Sequence, residues 1–145
     1  METRLAVAGA VIVVAVLAAR WLERRRPAPP ARGTYPVPAQ LDRDDFPRPE
    51  APWIVVLFSS RTCDSCAPMA EKVAALASES VATCEIEAVE HRDLHRRYSI
   101  EGVPMVVVAD EAGVVRAGFV GITSSEDLRA ALAGAANGGG AGGAG

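Results

Sequence analysis

Apolar and polar residues alternate in blocks over the second half of the chain, and these blocks predict an α/β domain over residues 53–133. Short apolar runs typical of buried strands and amphipathic segments typical of helices follow each other in the order β-α-β-α-β-β-α. The predicted strands are 53–58, 81–88, 105–109 and 114–119, and the predicted helices are 64–78, 91–98 and 123–133. The turn-rich residues between the last two strands suit a hairpin, and Thr123 to Asp127 suits a capping box for the last helix.

A second apolar segment lies near the N-terminus. Residues 5–19 carry no charged side chain, and a helix extended to Leu22 would span about 27 Å, close to the thickness of a bilayer's hydrocarbon core. Trp21 then lies where interfacial aromatic residues anchor membrane helices. Residues 1–26 are therefore predicted to be a single-pass transmembrane anchor with a basic flank. A cleavable signal peptide is the alternative, but the positive charge that follows the segment opposes translocation.

Two segments of biased composition flank the predicted domain. Residues 27–52 hold eight of the chain's ten prolines, which predicts an extended, semi-rigid linker. Within this linker, Leu41 and Phe46 are apolar enough to dock as a short lead-in element. Residues 134–145 are glycine and alanine with one asparagine, which is typical of a disordered tail.

Charge is unevenly distributed along the chain. The net charge of −3 gives no reason to expect nucleic-acid binding. Four arginines, however, lie within seven residues just after the apolar segment: Arg20, Arg24, Arg25 and Arg26. Under the positive-inside rule this cluster keeps its flank of the membrane segment in the cytoplasm. The domain that follows is therefore expected to lie on the cytoplasmic side of the cell membrane.

The strongest chemical motif is Cys63-Asp64-Ser65-Cys66, directly after the first predicted strand. Two cysteines at this spacing can form a disulfide, and the unpaired N–H groups and dipole of a helix N-terminus stabilise the thiolate of the first. The alternatives are an inert disulfide or half of a zinc site, for which Cys84, His91 and His95 would be further ligands. The position at a strand–helix junction favours thiol–disulfide exchange. Cys84, alone in an alternating segment, is most simply a small buried side chain.

The element order, the Cys-x-x-Cys motif after the first strand and Gly102-Val103-Pro104 before the third resemble the thioredoxin family over residues 53–133. The resemblance implies a thioredoxin-like α/β fold, a mixed sheet with flanking helices. The layout is also similar to small membrane-tethered thioredoxin-domain proteins of high-GC bacteria. These proteins share an apolar N-terminal segment, an arginine cluster, a Pro-rich linker and a lead into the motif such as Phe58-Ser59-Ser60.

The resemblance implies a role for each residue that matches the family's motifs. Cys63 would be the attacking thiol, Cys66 the resolving thiol and Pro104 a cis-proline that faces them. Val103 would pair its backbone with an extended substrate, since Pro104 itself has no N–H to offer. Gly121 matches a family glycine that lets the substrate backbone approach the site.

The chain departs from the family at three positions. Thr62 stands where a tryptophan usually precedes the first cysteine, which alters the substrate surface. Leu57 stands where the family often has a buried aspartate that accepts the proton of the resolving thiol. The proline that kinks the family's active-site helix is absent at its usual offset, although Pro68 comes earlier.

Glu85 is a candidate replacement for the missing carboxylate. It lies on the adjacent strand, where the resemblance places the lysine that normally partners the family's aspartate. Because side chains alternate along a strand, Glu85 and Cys84 point to opposite faces of the sheet. Glu85 therefore either faces the region under Cys66, where it can act in catalysis, or points to solvent at the strand edge.

The charge next to the first cysteine bears on the direction of exchange. The carboxylate of Asp64 opposes a thiolate at Cys63, which favours a reducing rather than an oxidising protein. The sequence thus predicts a membrane-anchored enzyme that reduces protein disulfides, with no bound cofactor or metal, fed by a reductase or a membrane electron carrier. An extracytoplasmic thiol–disulfide protein, for example in cytochrome maturation, and a redox-insensitive adaptor with the thioredoxin fold are the alternatives.

Overall fold

The computed structural model describes residues 1, 9, 11–18 and 35–139. Within residues 35–139 the strands are β1 (Trp53–Ser59), β2 (Val81–Glu87), β3 (Met105–Asp110) and β4 (Val115–Val120), and the helices are α1 (Cys66–Ala74), α2 (Arg92–Arg97) and α3 (Ser125–Gly139). A 3-10 turn at Arg43–Asp45 precedes β1. The predicted order of strands and helices is confirmed.

The strands form one mixed sheet in the order β2-β1-β3-β4, with β1 parallel to β2 and antiparallel to β3. A central strand with both faces covered is a continuous apolar run, and Ile54–Phe58 has no exposed surface. Phe58 at the end of β1 pairs with Met105 at the start of β3, which pairs with Val120 at the end of β4. The loops after β1 and β4 and the loop before β3 therefore lie at the same end of the sheet.

Both faces of the sheet are covered by apolar layers. Helices α1 and α3 cover one face, where the fully buried side chains are Val55, Leu57, Met69, Val106, Val108 and Leu128. Helix α2 and the segment before β1 cover the other face, where the core includes Leu41, Phe46, Ile54, Val56, Phe58 and Val107. The loop after β1 thus leaves the sheet between two packed layers.

The segment before β1 belongs to the folded domain. The domain therefore begins earlier in the chain than residue 53, where the predicted linker ends. Leu41 and Phe46 dock as the lead-in element and are buried at 1% and 4% exposure. The backbone N–H of Leu41 donates to the carbonyl of Gly113 at 2.8 Å, in the turn between β3 and β4. Prolines disfavour a central strand but leave neighbouring apolar side chains free to pack.

Helix α3 has part of the predicted N-terminal capping box and ends later than predicted. The Ser124 hydroxyl accepts the N–H of Asp127 at 3.0 Å, which is one arm of a capping box. The Asp127 carboxylate accepts a bond of 2.8 Å from the same hydroxyl instead of from the Ser124 N–H. The helix continues into the predicted tail as far as Gly139. Packing of Ala135 against the core accounts for part of this extension. Residues 140–145 of the predicted tail lie outside the described residues.

The predicted membrane anchor lies mostly outside the described residues, together with the arginine cluster and the linker up to residue 34. Of the apolar segment, residues 9 and 11–18 are described, and they are helical and exposed. Within the described part of the chain, no helix has both the length and the apolar character needed to cross a bilayer.

Candidate active site

The loop after β1 carries the two cysteines of the motif. Cys63 and Cys66 are joined by a disulfide, with their Cα atoms 5.4 Å apart. Cys63 is half-buried, whereas Cys66 is buried at 3% exposure. Helix α1 begins at Cys66 rather than near Asp64, so Cys63 lies in the turn that precedes the helix. Of the two cysteines, Cys63 is therefore the one more accessible to a substrate.

Hydrogen bonds hold this turn in shape. The N–H of Cys63 donates to the carbonyl of Ser60 at 3.1 Å, and the N–H of Cys66 donates to the carbonyl of Cys63 at 3.2 Å. The Ser65 hydroxyl lies 3.6 Å from Cys63 Sγ. A hydroxyl that donates to this sulfur favours the thiolate once the disulfide is opened. Nothing in the sequence pattern singles out Ser65 for this position.

Pro68 is the third residue of α1. The N–H groups of a helix's first turn have no acceptor within the helix, so proline is tolerated there. Pro68 therefore costs no hydrogen bond of the helix and does not replace the family's kinking proline, which comes later in the helix.

The loop before β3 lies at the same end of the sheet as the cysteines. The peptide bond between Val103 and Pro104 is cis; Val103 is half-buried and Pro104 is buried. The N–H of Gly121, just after β4, donates to the Pro104 carbonyl at 2.8 Å. Gly121 has a φ of 92°, which favours glycine, and a Cβ built there meets no atom within 4 Å. The surface beside Pro104 is therefore open at Gly121.

Thr62 lies directly before Cys63 and is exposed. Its hydroxyl is 3.1 Å from the hydroxyl of Ser60, so part of its hydrogen-bonding capacity is used within the turn. The position that a tryptophan usually occupies in the family is thus a small polar surface in this chain.

Glu85 lies on the face of the sheet that α1 covers, opposite to Cys84, and pairs in register with Leu57. Glu85 is exposed, yet its carboxylate accepts a hydrogen bond of 2.6 Å from the buried hydroxyl of Ser59. Among the hydrogen bonds of residues 35–139, none joins Glu85 to Cys66. The structure therefore places Glu85 on the face expected for catalysis, bound to Ser59 and not in direct contact with the thiol. Ser59 was not recognised from the sequence, although β1 and β2 alternation puts both residues on one face.

A cavity of about 380 Å³ lies between α1 and β2. The residues that line it come from α1, β2 and the neighbouring strand β1, and include Leu57, Ala70, Glu71, Val73, Thr83 and Glu85. A space of this size with a carboxylate in its wall has room for water molecules. Cys66 is not among the residues that line this cavity. The cavity thus places Glu85 beside α1, where the buried carboxylate that Leu57 replaces is missing.

Cys84 is partly buried and packs against the core on the face opposite α1. Burial raises the pKa of its thiol to about 12, although the positive charge of Arg43 acts in the other direction. A thiol with this pKa stays protonated at neutral pH and is a poor nucleophile. The interpretation of Cys84 as a small apolar core side chain agrees with this position.

Metal-ligating side chains are not gathered in the described part of the chain: no group of three or more His, Cys, Asp or Glu residues there could hold a metal ion. His95, a candidate zinc ligand, directs Nε2 to the carbonyl of Ile86 at 2.8 Å. Its ring also packs edge-on against Phe58, with the centroids 5.4 Å apart. The imidazole of His95 is therefore engaged in packing the sheet.

Comparison with known proteins agrees with this geometry. The family model of the thioredoxin-like domain matches residues 40–136, a span that includes the lead-in element and most of α3. No curated protein matches the chain.

Solved structures with the same fold include several thioredoxins. A mutant thioredoxin from Halobacterium salinarum is 22% identical, with a TM-score of 0.55, over 68% of this chain and 86% of that one. The germline-specific thioredoxin Deadhead from Drosophila melanogaster is 24% identical, with a TM-score of 0.52, over 59% and 83%. The thioredoxin of Fasciola hepatica is 27% identical, with a TM-score of 0.50, over 57% and 80%. With its mixed sheet and its Cys63–Cys66 pair at the end of β1, the chain belongs to the thioredoxin-like domain family.

Proposed function

We propose that this protein is a membrane-anchored thiol–disulfide oxidoreductase that reduces protein disulfides through Cys63 and Cys66. The observation that carries the proposal is the pairing of a half-buried Cys63 with a buried Cys66 at the strand–helix junction. Exchange needs one accessible sulfur to attack and a second, protected sulfur to release the product. This pair meets both needs, and a family membership based on residues 40–136 supports the same chemistry.

The reaction balances in two exchange steps. The Cys63 thiolate attacks one sulfur of the substrate disulfide, so that a mixed disulfide forms and the other substrate sulfur leaves as a thiolate. The Cys66 thiolate then attacks Cys63 Sγ, which breaks the mixed disulfide and releases the second substrate thiolate. The substrate gains two electrons, and the protein is left with the Cys63–Cys66 disulfide. A reductase or a membrane electron carrier with its own dithiol returns the two electrons, so no bound cofactor is needed.

The charges around Cys63 support the reducing direction. The exposed carboxylate of Asp64 is its immediate neighbour and disfavours a thiolate. Arg61 could offset this charge, but its guanidinium forms ion pairs with Glu90 and Glu87. A less stabilised thiolate makes the reduced dithiol a better electron donor.

Glu85 is the proposed acceptor of the proton that the Cys66 thiol loses. Cys66 must lose its proton before it can resolve the mixed disulfide, and the family's usual acceptor is replaced by Leu57. Glu85 lines the cavity along α1 and is held by the Ser59 hydroxyl. Cys66 does not line this cavity, so the proton would pass from the thiol to the carboxylate through water between Cys66 and Glu85.

The substrate polypeptide is proposed to lie across the end of the sheet beside Cys63. The Val103 backbone would pair with it, Gly121 would leave room for its backbone, and Thr62 would contact it from the turn. The open space at Gly121 next to the Pro104 carbonyl supports this path.

Attachment to the cell membrane through residues 1–26 and a cytoplasmic domain are part of the proposal. The apolar run of residues 5–19 and the four arginines that follow it support this arrangement. A membrane-impermeant thiol reagent, applied after chemical reduction to intact cells that express the full chain, is expected to label Cys63 only once the cells are permeabilised. Labelling of Cys63 from outside would favour the extracytoplasmic alternative instead.

A reduction assay tests the enzyme itself. The full chain supplied with dithiothreitol is expected to reduce a protein disulfide at a rate well above that of dithiothreitol alone, because the protein concentrates an activated thiol beside a docking surface. Protein whose thiols have been alkylated should lose this activity. A rate no higher than that of dithiothreitol would favour the redox-insensitive adaptor.

A further inference from the structure

Glu87, the last residue of β2, gathers three backbone N–H groups on one carboxylate. Its Oε1 accepts the N–H of Arg61 at 3.1 Å, and its Oε2 accepts those of Val89 at 2.9 Å and Glu90 at 3.0 Å. The residue is buried at 9% exposure. A nearly buried carboxylate that accepts three backbone hydrogen bonds holds those backbone segments in place, unlike a solvated surface group.

The charge of Glu87 is well stabilised. The hydrogen bond from the N–H of Glu90 lowers the pKa of its carboxyl group, and the bonds from Arg61 and Val89 act in the same direction. The Arg61 guanidinium adds an ion pair, with Nε 3.9 Å from Oε2. The carboxylate is therefore ionised, and able to accept all three bonds, throughout the neutral range.

The three N–H groups come from two different loops. Arg61 lies in the turn that carries Cys63, two residues before it, whereas Val89 and Glu90 lie in the loop between β2 and α2. Since these loops share one carboxylate, the loop that bears Val89 is held directly beside the active-site turn. The Val89 side chain is 61% exposed there, an apolar surface that this part of the fold does not use for packing.

We propose that Glu87 is a positioning residue that holds Val89 beside the Cys63 turn as an apolar contact for the substrate polypeptide. The proposal rests on the proposed disulfide reduction and adds a determinant of substrate specificity to it. Glu87 touches neither cysteine, and it acts through the loop that it anchors. An extended polypeptide that delivers its disulfide to Cys63 would reach Val89, while a small disulfide would not.

The test compares a protein disulfide with a small aromatic disulfide as substrates of the full chain. Glu87→Gln keeps the size of the side chain but turns an NH₂ group toward backbone donors, so at least one anchor bond is lost. We expect KM for the protein substrate to rise about fivefold, with kcat and the rate on the small disulfide within about twofold of wild type. Glu90→Gln is the matched control, because it weakens the ion pair with Arg61 and leaves the backbone bonds to Glu87 in place.

Val89→Ala completes a double-mutant cycle and tests the contact without disturbing the anchor. It should raise KM for the protein substrate by about the same factor, and adding it to Glu87→Gln should change KM little further, because both act through one contact. Additive effects, equal losses on both substrates, or an equal loss in Glu90→Gln would overturn the inference. A wild-type chain inactive on both substrates would instead overturn the proposed function and the inference with it.

Discussion

The Cys66→Ser variant is expected to accumulate mixed disulfides with protein substrates through Cys63. Cys63 still attacks in this variant, but no second thiol remains to break the bond that it forms. Non-reducing gel electrophoresis after incubation with an excess of a disulfide-containing protein should show a band at the combined mass, which dithiothreitol removes.

Cys63→Ser is the matched variant and should behave in the opposite way. It is expected to lower the rate of disulfide reduction by at least about a thousandfold, because a serine hydroxyl is not ionised at neutral pH and cannot replace the thiolate. It should also form no mixed disulfide. Full activity of Cys63→Ser, or trapping through Cys66, would show that the roles of the two cysteines are assigned the wrong way round.

Glu85→Gln is expected to slow the release of reduced substrate by about tenfold, which corresponds to about 1.4 kcal/mol. The amide cannot take the proton of Cys66, whereas it can still accept the hydrogen bond from the Ser59 hydroxyl. The rate of alkylation of Cys63 should not change, since Glu85 lies beside α1 and not in the turn that carries Cys63. Single-turnover kinetics with pre-formed mixed disulfide would measure the release step separately from the attack.

Glu71→Gln is the control for this prediction. Glu71 lines the same cavity from the side of α1, so its substitution removes a negative charge from the cavity without removing the proposed acceptor. Release at the wild-type rate in Glu71→Gln, together with slow release in Glu85→Gln, would assign the proton to Glu85. Equal release rates for wild type and Glu85→Gln at every pH would contradict the proposal. Glu85 would then be a surface residue that binds Ser59.

The regular elements of the sheet could be predicted because their causes are local. The run Trp53–Ser59 is apolar at nearly every position since both faces of β1 are covered. Its limits follow from Pro52 before it and from the serines at its C-terminal end. Alternation along β2 was enough to send Glu85 and Cys84 to opposite faces. The cap formed by Ser124 and Asp127 is also a short-range feature.

The ends of the elements and of the domain were predicted less well. Residues 39–51 have the composition of a linker, yet Leu41 fills a place in the core, and its backbone binds the turn at Gly113 far along the chain. The motif predicts that α1 starts near Asp64. The helix starts at Cys66 instead, because the residues from Ser60 to Cys63 form a hydrogen-bonded turn. These positions depend on what packs against each segment, which a local pattern does not contain.

The strand–helix order, the dithiol after the first strand and the faces of the second strand follow from the sequence, because each depends on periodicity or on short spacing. Three features appear only in the folded chain: the lead-in segment is part of the core, Ser59 binds Glu85, and one carboxylate joins two loops. The bond from Arg61 to Glu87 links residues 26 positions apart. It exists because β1 and β2 are parallel and in a register that pairs Ser59 with Glu87. Such a register arises from the packing of whole layers, and so a local sequence pattern does not predict it.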